Sequence, residues 1–157
     1  MEKKKLKTYG LFILFTEIVG GVAGLFTSMG MDAYKTVEKP ALTPPDIVFP
    51  IVWTILYALM GISAARIWLF PATKERNHGL IIWGLQLFFN FFWSLIFFNL
   101  QAYGFAFFWI LILWVLIIGM IYTFNKTDRL AALLQIPYLI WVTFAAYLNL
   151  MVWLLNR

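Results

Sequence analysis

Five apolar stretches, each about as long as a bilayer is thick, leave this chain little freedom in how it folds. They run over 8–29, 46–70, 79–99, 103–124 and 129–154, and the polar residues between them come in short patches. As a helix, roughly 20 residues cross a hydrocarbon core. Lipid cannot satisfy free peptide groups, so only helices and closed barrels span it. None of the stretches alternates polar and apolar residues with the period of two that barrel strands require. The expected fold is all-α: a five-transmembrane-helix bundle, integral to a membrane, with 1–157 as a single domain.

Composition narrows the chemistry. Charged residues make up 12% of the chain, about half the share in a soluble domain. Cysteine is absent, which excludes disulfides, thiolate chemistry and cysteine metal sites. The single His78 lies between Asn77 and Gly79 in a polar loop. One histidine makes a poor metal site, so no metal and no cofactor is expected. The basic N-terminus is followed by a run too long for a signal peptide, and reads as an uncleaved first span.

The net charge of +5 reflects loop asymmetry, and no nucleic-acid partner is expected. Lys3, Lys4, Lys5, Lys7, Arg66, Lys74, Arg76, Lys126 and Arg129 fall on one side, against Lys35, Lys39 and Arg157 on the other. By the positive-inside rule the N-terminus is cytoplasmic, the C-terminus is outside and the Met31–Pro45 loop faces outward. A bacterial cytoplasmic membrane is the expected location.

Within the first span, Gly20 and Gly24 form a small-xxx-small pair that suits close helix approach, or the seam of a homodimer. Glu17 lies near mid-membrane, where a carboxylate is costly unless paired or protonated. Gln86 or Asn90 is its expected partner, in a neutral bonded role or a proton relay. Pro40, Pro44 and Pro45 stiffen the first loop into a strap, and Pro44-Pro45 is expected to open the second helix. The short Leu100–Tyr103 loop makes the third and fourth helices antiparallel neighbours. Pro137 should kink the fifth.

Aromatic residues form 20% of the chain, with Trp at eight positions. An interfacial belt accounts for Trp68, Trp83 and Trp153. It does not account for rings inside the spans. Trp53 and Tyr57 lie one turn apart on the second helix, and Asn90 and Trp93 share a face of the third. Trp141, Ala145 and Asn149 share a face of the fifth. All fall at one depth under the strap. Three helices presenting flat rings and a few amides predict a pocket for a large, flat, mostly apolar ligand.

These residues also carry a resemblance. Lys39-Pro40-x-x-x-Pro44-Pro45, followed by Phe49-Pro50-x-x-Trp53-Thr54-x-Leu56-Tyr57-x-x-Met60-Gly61, resembles the translocator protein family. That family is also known as tryptophan-rich sensory proteins or peripheral benzodiazepine receptors. The match continues in Gln86-Leu87-x-x-Asn90-x-x-Trp93-x-x-x-Phe97-Phe98 and in Pro137-Tyr138-x-x-Trp141-x-x-Phe144-Ala145-x-x-Leu148-Asn149. The resemblance implies a homodimeric five-helix bundle with a pocket under the first loop. Its implied ligands are protoporphyrin IX and other tetrapyrroles, sterols in animal members, and synthetic isoquinoline or benzodiazepine compounds. On the family pattern Trp53, Asn90, Trp93, Trp141 and Ala145 map to the pocket. Trp53 and Trp141 match tryptophans tied to light-dependent porphyrin breakdown in bacterial members.

The chain departs from the pattern at several points. Ala33 and Leu42 stand where the family carries loop tryptophans. Leu150 replaces a tyrosine of the animal sterol segment, and Ile81 and Leu85 replace glycines of the animal third helix. Three function classes follow. The first is a tetrapyrrole-binding protein that moves, buffers or senses porphyrin. In it Trp53, Trp93 and Trp141 stack, and Asn90 and Asn149 bond polar edges. The second is an enzyme degrading porphyrin under light, with Trp53 or Trp141 as electron donor; no other catalytic set is present in the sequence. The third, an ion-coupled carrier, lacks an obvious inverted repeat.

Overall fold

Peptide groups in lipid must find partners within their own helix, and the chain meets this in five crossings. The computed structural model describes residues 2–157. Its helices are α1 (Glu2–Thr36), α2 (Val48–Trp68), α3 (Lys74–Ser94), α4 (Tyr103–Thr127), α5 (Arg129–Leu133) and α6 (Ile136–Leu155). No strand occurs among the described residues. Five of the crossings, counting α5 and α6 as one, are long and apolar enough to span a membrane.

Polar helix ends explain most boundary differences. Apolarity places the first helix at 8–29, but α1 covers 35 residues, about 50 Å of helix. Its lysine-rich first turns continue the helix beyond the apolar run. Likewise α3 starts at Lys74 rather than Gly79, because Thr73 caps it by accepting the Arg76 N–H at 3.1 Å. The second helix does not open at Pro44-Pro45. The Pro45 carbonyl accepts the Val48 N–H in a turn, and α2 begins at Val48 with Pro50 in its first turn.

Two interruptions shape the bundle. After Ser94 the third crossing widens into a π turn over Leu95–Asn99. The backbone then reverses through Gln101, at φ 54°, into α4. The fifth crossing breaks outright: α5 ends at Leu133 and α6 starts at Ile136, with Pro137 in its first turn. Pro137 offers no N–H to the Leu133 carbonyl, which is the physical origin of the break.

The helices form a ring. α1 packs along α2 and against the π turn, α3 along α4, and α4 along α6, while α2 meets α3 and α5. Close approach of α1 depends on glycine. A Cβ at Gly61 would lie 2.7 Å from the Ile13 Cα, and one at Gly20 would strike the Tyr57 ring. Thr16 adds a bond across the seam, its Oγ1 donating to the Tyr57 carbonyl at 2.7 Å. Gly20 therefore serves packing inside the chain, while Gly24 has nothing within 4 Å of a Cβ. Toward the lysine-rich end, Met60, Ala64, Ile67, Met120, Phe124 and Ala131 are wholly buried.

Candidate functional site

A cavity of about 510 Å³ opens in the half of the bundle beneath the first loop. Six of the seven predicted pocket residues line it: Trp53 and Tyr57 from α2, Asn90 and Trp93 from α3, Trp141 and Ala145 from α6. The helical spacings place these side chains as expected. Trp53 and Trp141 meet edge to face with centroids 6.5 Å apart, and Trp53 lies 5.7 Å from the Tyr57 ring. Phe49 backs Trp141 at 5.9 Å, and Trp93 lies 5.4 Å from Phe97. Ala145 is buried and small, which keeps space open beside the rings.

Asn149 is the exception. It is wholly buried and does not line the cavity. Its Oδ1 accepts the Trp93 indole N–H at 3.0 Å, and its Nδ2 donates to the Tyr103 carbonyl at 2.8 Å. It thus positions Trp93 from behind instead of offering an amide to the cavity. The sequence supplied its depth and face but not which group would claim it.

Behind the tryptophans runs a directed hydrogen-bond chain. The Tyr57 hydroxyl donates to Asn90 Oδ1 at 2.9 Å, and Asn90 Nδ2 donates to the Tyr138 hydroxyl at 2.7 Å. Tyr138 in turn donates to Gln86 Oε1 at 2.6 Å. Buried polar groups bonded this fully fix a single side-chain arrangement. Glu17 has no place in it: neither Gln86 nor Asn90 is its partner, contrary to expectation.

A fourth wall went unread in the sequence. Along α1, Glu17, Gly20, Gly24, Thr27 and Met31 line the cavity on one helical stripe. Small residues leave no chemical signature, although their three- and four-residue spacing was visible. Asp46 from the loop and Phe98 from the π turn also line it. Ala33 and Leu42 do not line it, and Leu42 is exposed.

The loop is fastened down. Asn156, beyond α6, accepts the Glu38 N–H at 2.9 Å and donates to the Glu38 carbonyl at 2.8 Å. Lys39 Nζ lies 4.7 Å over the Tyr34 ring and caps the end of α1 by donating to the Val37 carbonyl at 3.2 Å. His78 sits at the opposite end of α3, beside Lys74 and Lys126. No group of three or more His, Cys, Asp or Glu suited to a metal occurs among the described residues.

A sequence model described as the TspO/MBR family matches residues 12–154. The chain belongs to the TspO/MBR family. The matched residues take in every cavity-lining position of this TspO/MBR chain. It is 36% identical over 158 residues to the tryptophan-rich protein TspO of Chlorobaculum tepidum, covering 98% of both chains. It is 33% identical over 152 residues to protein CrtK of Rhodobacter capsulatus, covering 96% of this chain and 94% of that one. Similarity reaches the translocator protein of Homo sapiens, at 32% over 126 residues, 79% of this chain and 75% of the relative. With its five apolar crossings, this TspO/MBR chain is an integral membrane protein.

Proposed function

We propose that this TspO/MBR protein is a receptor or translocator for flat tetrapyrroles such as protoporphyrin IX, acting in porphyrin transport, buffering or stress sensing. One observation carries the reading: a 510 Å³ cavity walled by Trp53, Trp93 and Trp141 from three different helices. Its size falls in the range of small-molecule sites. Its rings offer apolar faces for stacking, and the small Ala145 leaves room between them. No histidine lines it, which favours metal-free porphyrin over haem. Flat isoquinoline, benzodiazepine or sterol-like compounds would compete for the same walls. A homodimer in a bacterial cytoplasmic membrane, with N-terminus inside and C-terminus outside, belongs to the same reading. Reporter fusions at each end and the mass of the purified particle test those two points.

Binding itself is tested by porphyrin titration, read through tryptophan fluorescence. Trp141→Ala removes a wall, and aromatic contacts are worth about 0.5–1.5 kcal/mol beyond area. Loss of the buried ring area adds to that, so affinity should fall about tenfold. Trp68→Ala should change little, because Trp68 is half exposed, outside the cavity, and packed under the Arg76 guanidinium at 4.5 Å. Equal losses in the two variants would put the ligand elsewhere. The same titration under light separates binding from photo-oxidative breakdown.

A further inference from the structure

Glu17 is the one carboxylate on the spanning part of the cavity wall, and no side chain among the described residues pairs with it. Among the described residues it forms no ion pair, and none of the side-chain hydrogen bonds around the cavity includes it. The groups that could have neutralised it are committed elsewhere. Tyr57 donates to Asn90, Asn90 to Tyr138 and Tyr138 to Gln86. Glu17 itself lines the cavity, with Gly20 packed under the Tyr57 ring one turn on and open space around Gly24. The lining holds one other ionisable carboxylate, Asp46, and no lysine, arginine or histidine.

Resting on the reading of this cavity as a ligand site, we propose that Glu17 docks a cationic centre, so that flat aromatic ligands bearing a protonated amine are preferred over neutral or anionic ones. A carboxylate inside a span is costly when unpaired and marks a functional position by default. A ligand cation beside it supplies the missing partner in a medium of low dielectric. Trp53 and Trp141 line the same cavity, and an aromatic face within about 6 Å of a cation attracts it. Asp46 at the loop end attracts it on entry. An anionic ligand meets like charge at both ends, so a porphyrin must keep its carboxylates away from Glu17.

The test uses the full chain in neutral detergent and three probes: 9-aminoacridine, cationic at neutral pH; acridine, its neutral counterpart; and protoporphyrin IX. Wild type should bind the cation at least tenfold more tightly than acridine. Glu17→Gln, close to isosteric, should bring the cation-to-neutral ratio to about one, chiefly through loss of cation affinity. Glu17→Asp, which keeps the charge, should retain part of it. Thermal melting of each variant shows that the bundle is intact. A cation-to-neutral ratio that is flat in wild type, or identical in wild type and Glu17→Gln, overturns the proposal. Protoporphyrin affinity should rise severalfold in Glu17→Gln. If protoporphyrin fails to bind while the Glu17-dependent cation preference holds, the tetrapyrrole reading falls and this inference stands.

Discussion

Asn90 spends both ends of its amide on tyrosines, and that choice governs the cavity floor. Its oxygen takes the Tyr57 proton and its nitrogen donates to Tyr138. Tyr138 is the hinge of the chain, accepting from Asn90 while donating to Gln86. Tyr138→Phe keeps the ring but strands two wholly buried partners. Each unsatisfied buried group costs about 1–3 kcal/mol, so the variant should lose about 2 kcal/mol or more. Tyr122→Phe, at a tyrosine that is 66% exposed, should stay within about 0.5 kcal/mol. Melting of both variants in detergent checks this, and equal melting temperatures would mean that the network adds nothing to stability. At this scale the sequence was read well for rings and poorly for amides. Helical spacing together with depth under the strap placed Trp53, Trp93 and Trp141 at one level, where they line the cavity. An asparagine is satisfied by whichever donor and acceptor reach it, and those of Asn149 come from Trp93 and the backbone of Tyr103. Spacing within one helix cannot reveal partners on others.

Among the elements, α1 packs through the absence of side chains against backbone as well as against rings. It has few buried residues of its own, namely Thr16, Ala23 and Tyr34. It is held by close backbone contact at Gly30, where a Cβ would run into the Phe98 carbonyl of the π turn. Asn99 fixes the same junction, its Nδ2 donating to the Phe26 carbonyl at 2.7 Å. A carbonyl fixed in a helical turn cannot yield as a flexible side chain would. Gly30→Ala should therefore overpack the junction and cost about 1–3 kcal/mol. Gly10→Ala, with nothing within 4 Å of the new Cβ, should instead gain about 0.5–1 kcal/mol from helix propensity. Opposite shifts in melting temperature are the expected outcome; a neutral Gly30→Ala would show that α1 slides freely on the π turn. The five crossings were legible because run length against bilayer thickness leaves few alternatives. The π turn was not, since Leu95–Asn99 reads as ordinary apolar helix. Nor was the α1 wall, because glycines report a close neighbour without naming it.

The whole molecule is clasped at both ends of a bundle that is solid in one half and hollow in the other. At the loop end, Asn156 holds the strap through Glu38. At the lysine-rich end, Arg66 of α2 grips Asp128 between α4 and α5, with Nε 2.6 Å from Oδ2 and Nη2 3.3 Å from Oδ1. Ser63 reinforces this by donating to the Ala131 carbonyl at 2.6 Å. Since α2 carries Trp53 and Tyr57, this clasp helps to hold one cavity wall in place. The hydrogen bond from Arg66, with the guanidinium charge beside it, holds the Asp128 carboxyl below the usual carboxylate range. A carboxylate depressed in the folded state stabilises it fully above the unfolded pKa. That stabilisation disappears as pH falls through the folded pKa. Hydrogen bonds to charged groups contribute about 1.5–3 kcal/mol, and the lower figure applies because Arg66 is 30% exposed. Asp128→Asn keeps an oxygen for the Ala131 N–H that caps α5, so it removes the charge with little other change. At neutral pH the variant should melt below wild type by that increment. As pH falls below the ordinary carboxylate range, about 3.9, wild type should lose it progressively and the two melting curves should draw together. Curves that stay parallel across the acid range would show that other groups carry the acid sensitivity, and that the grip of Arg66 on Asp128 does not depend on the charge.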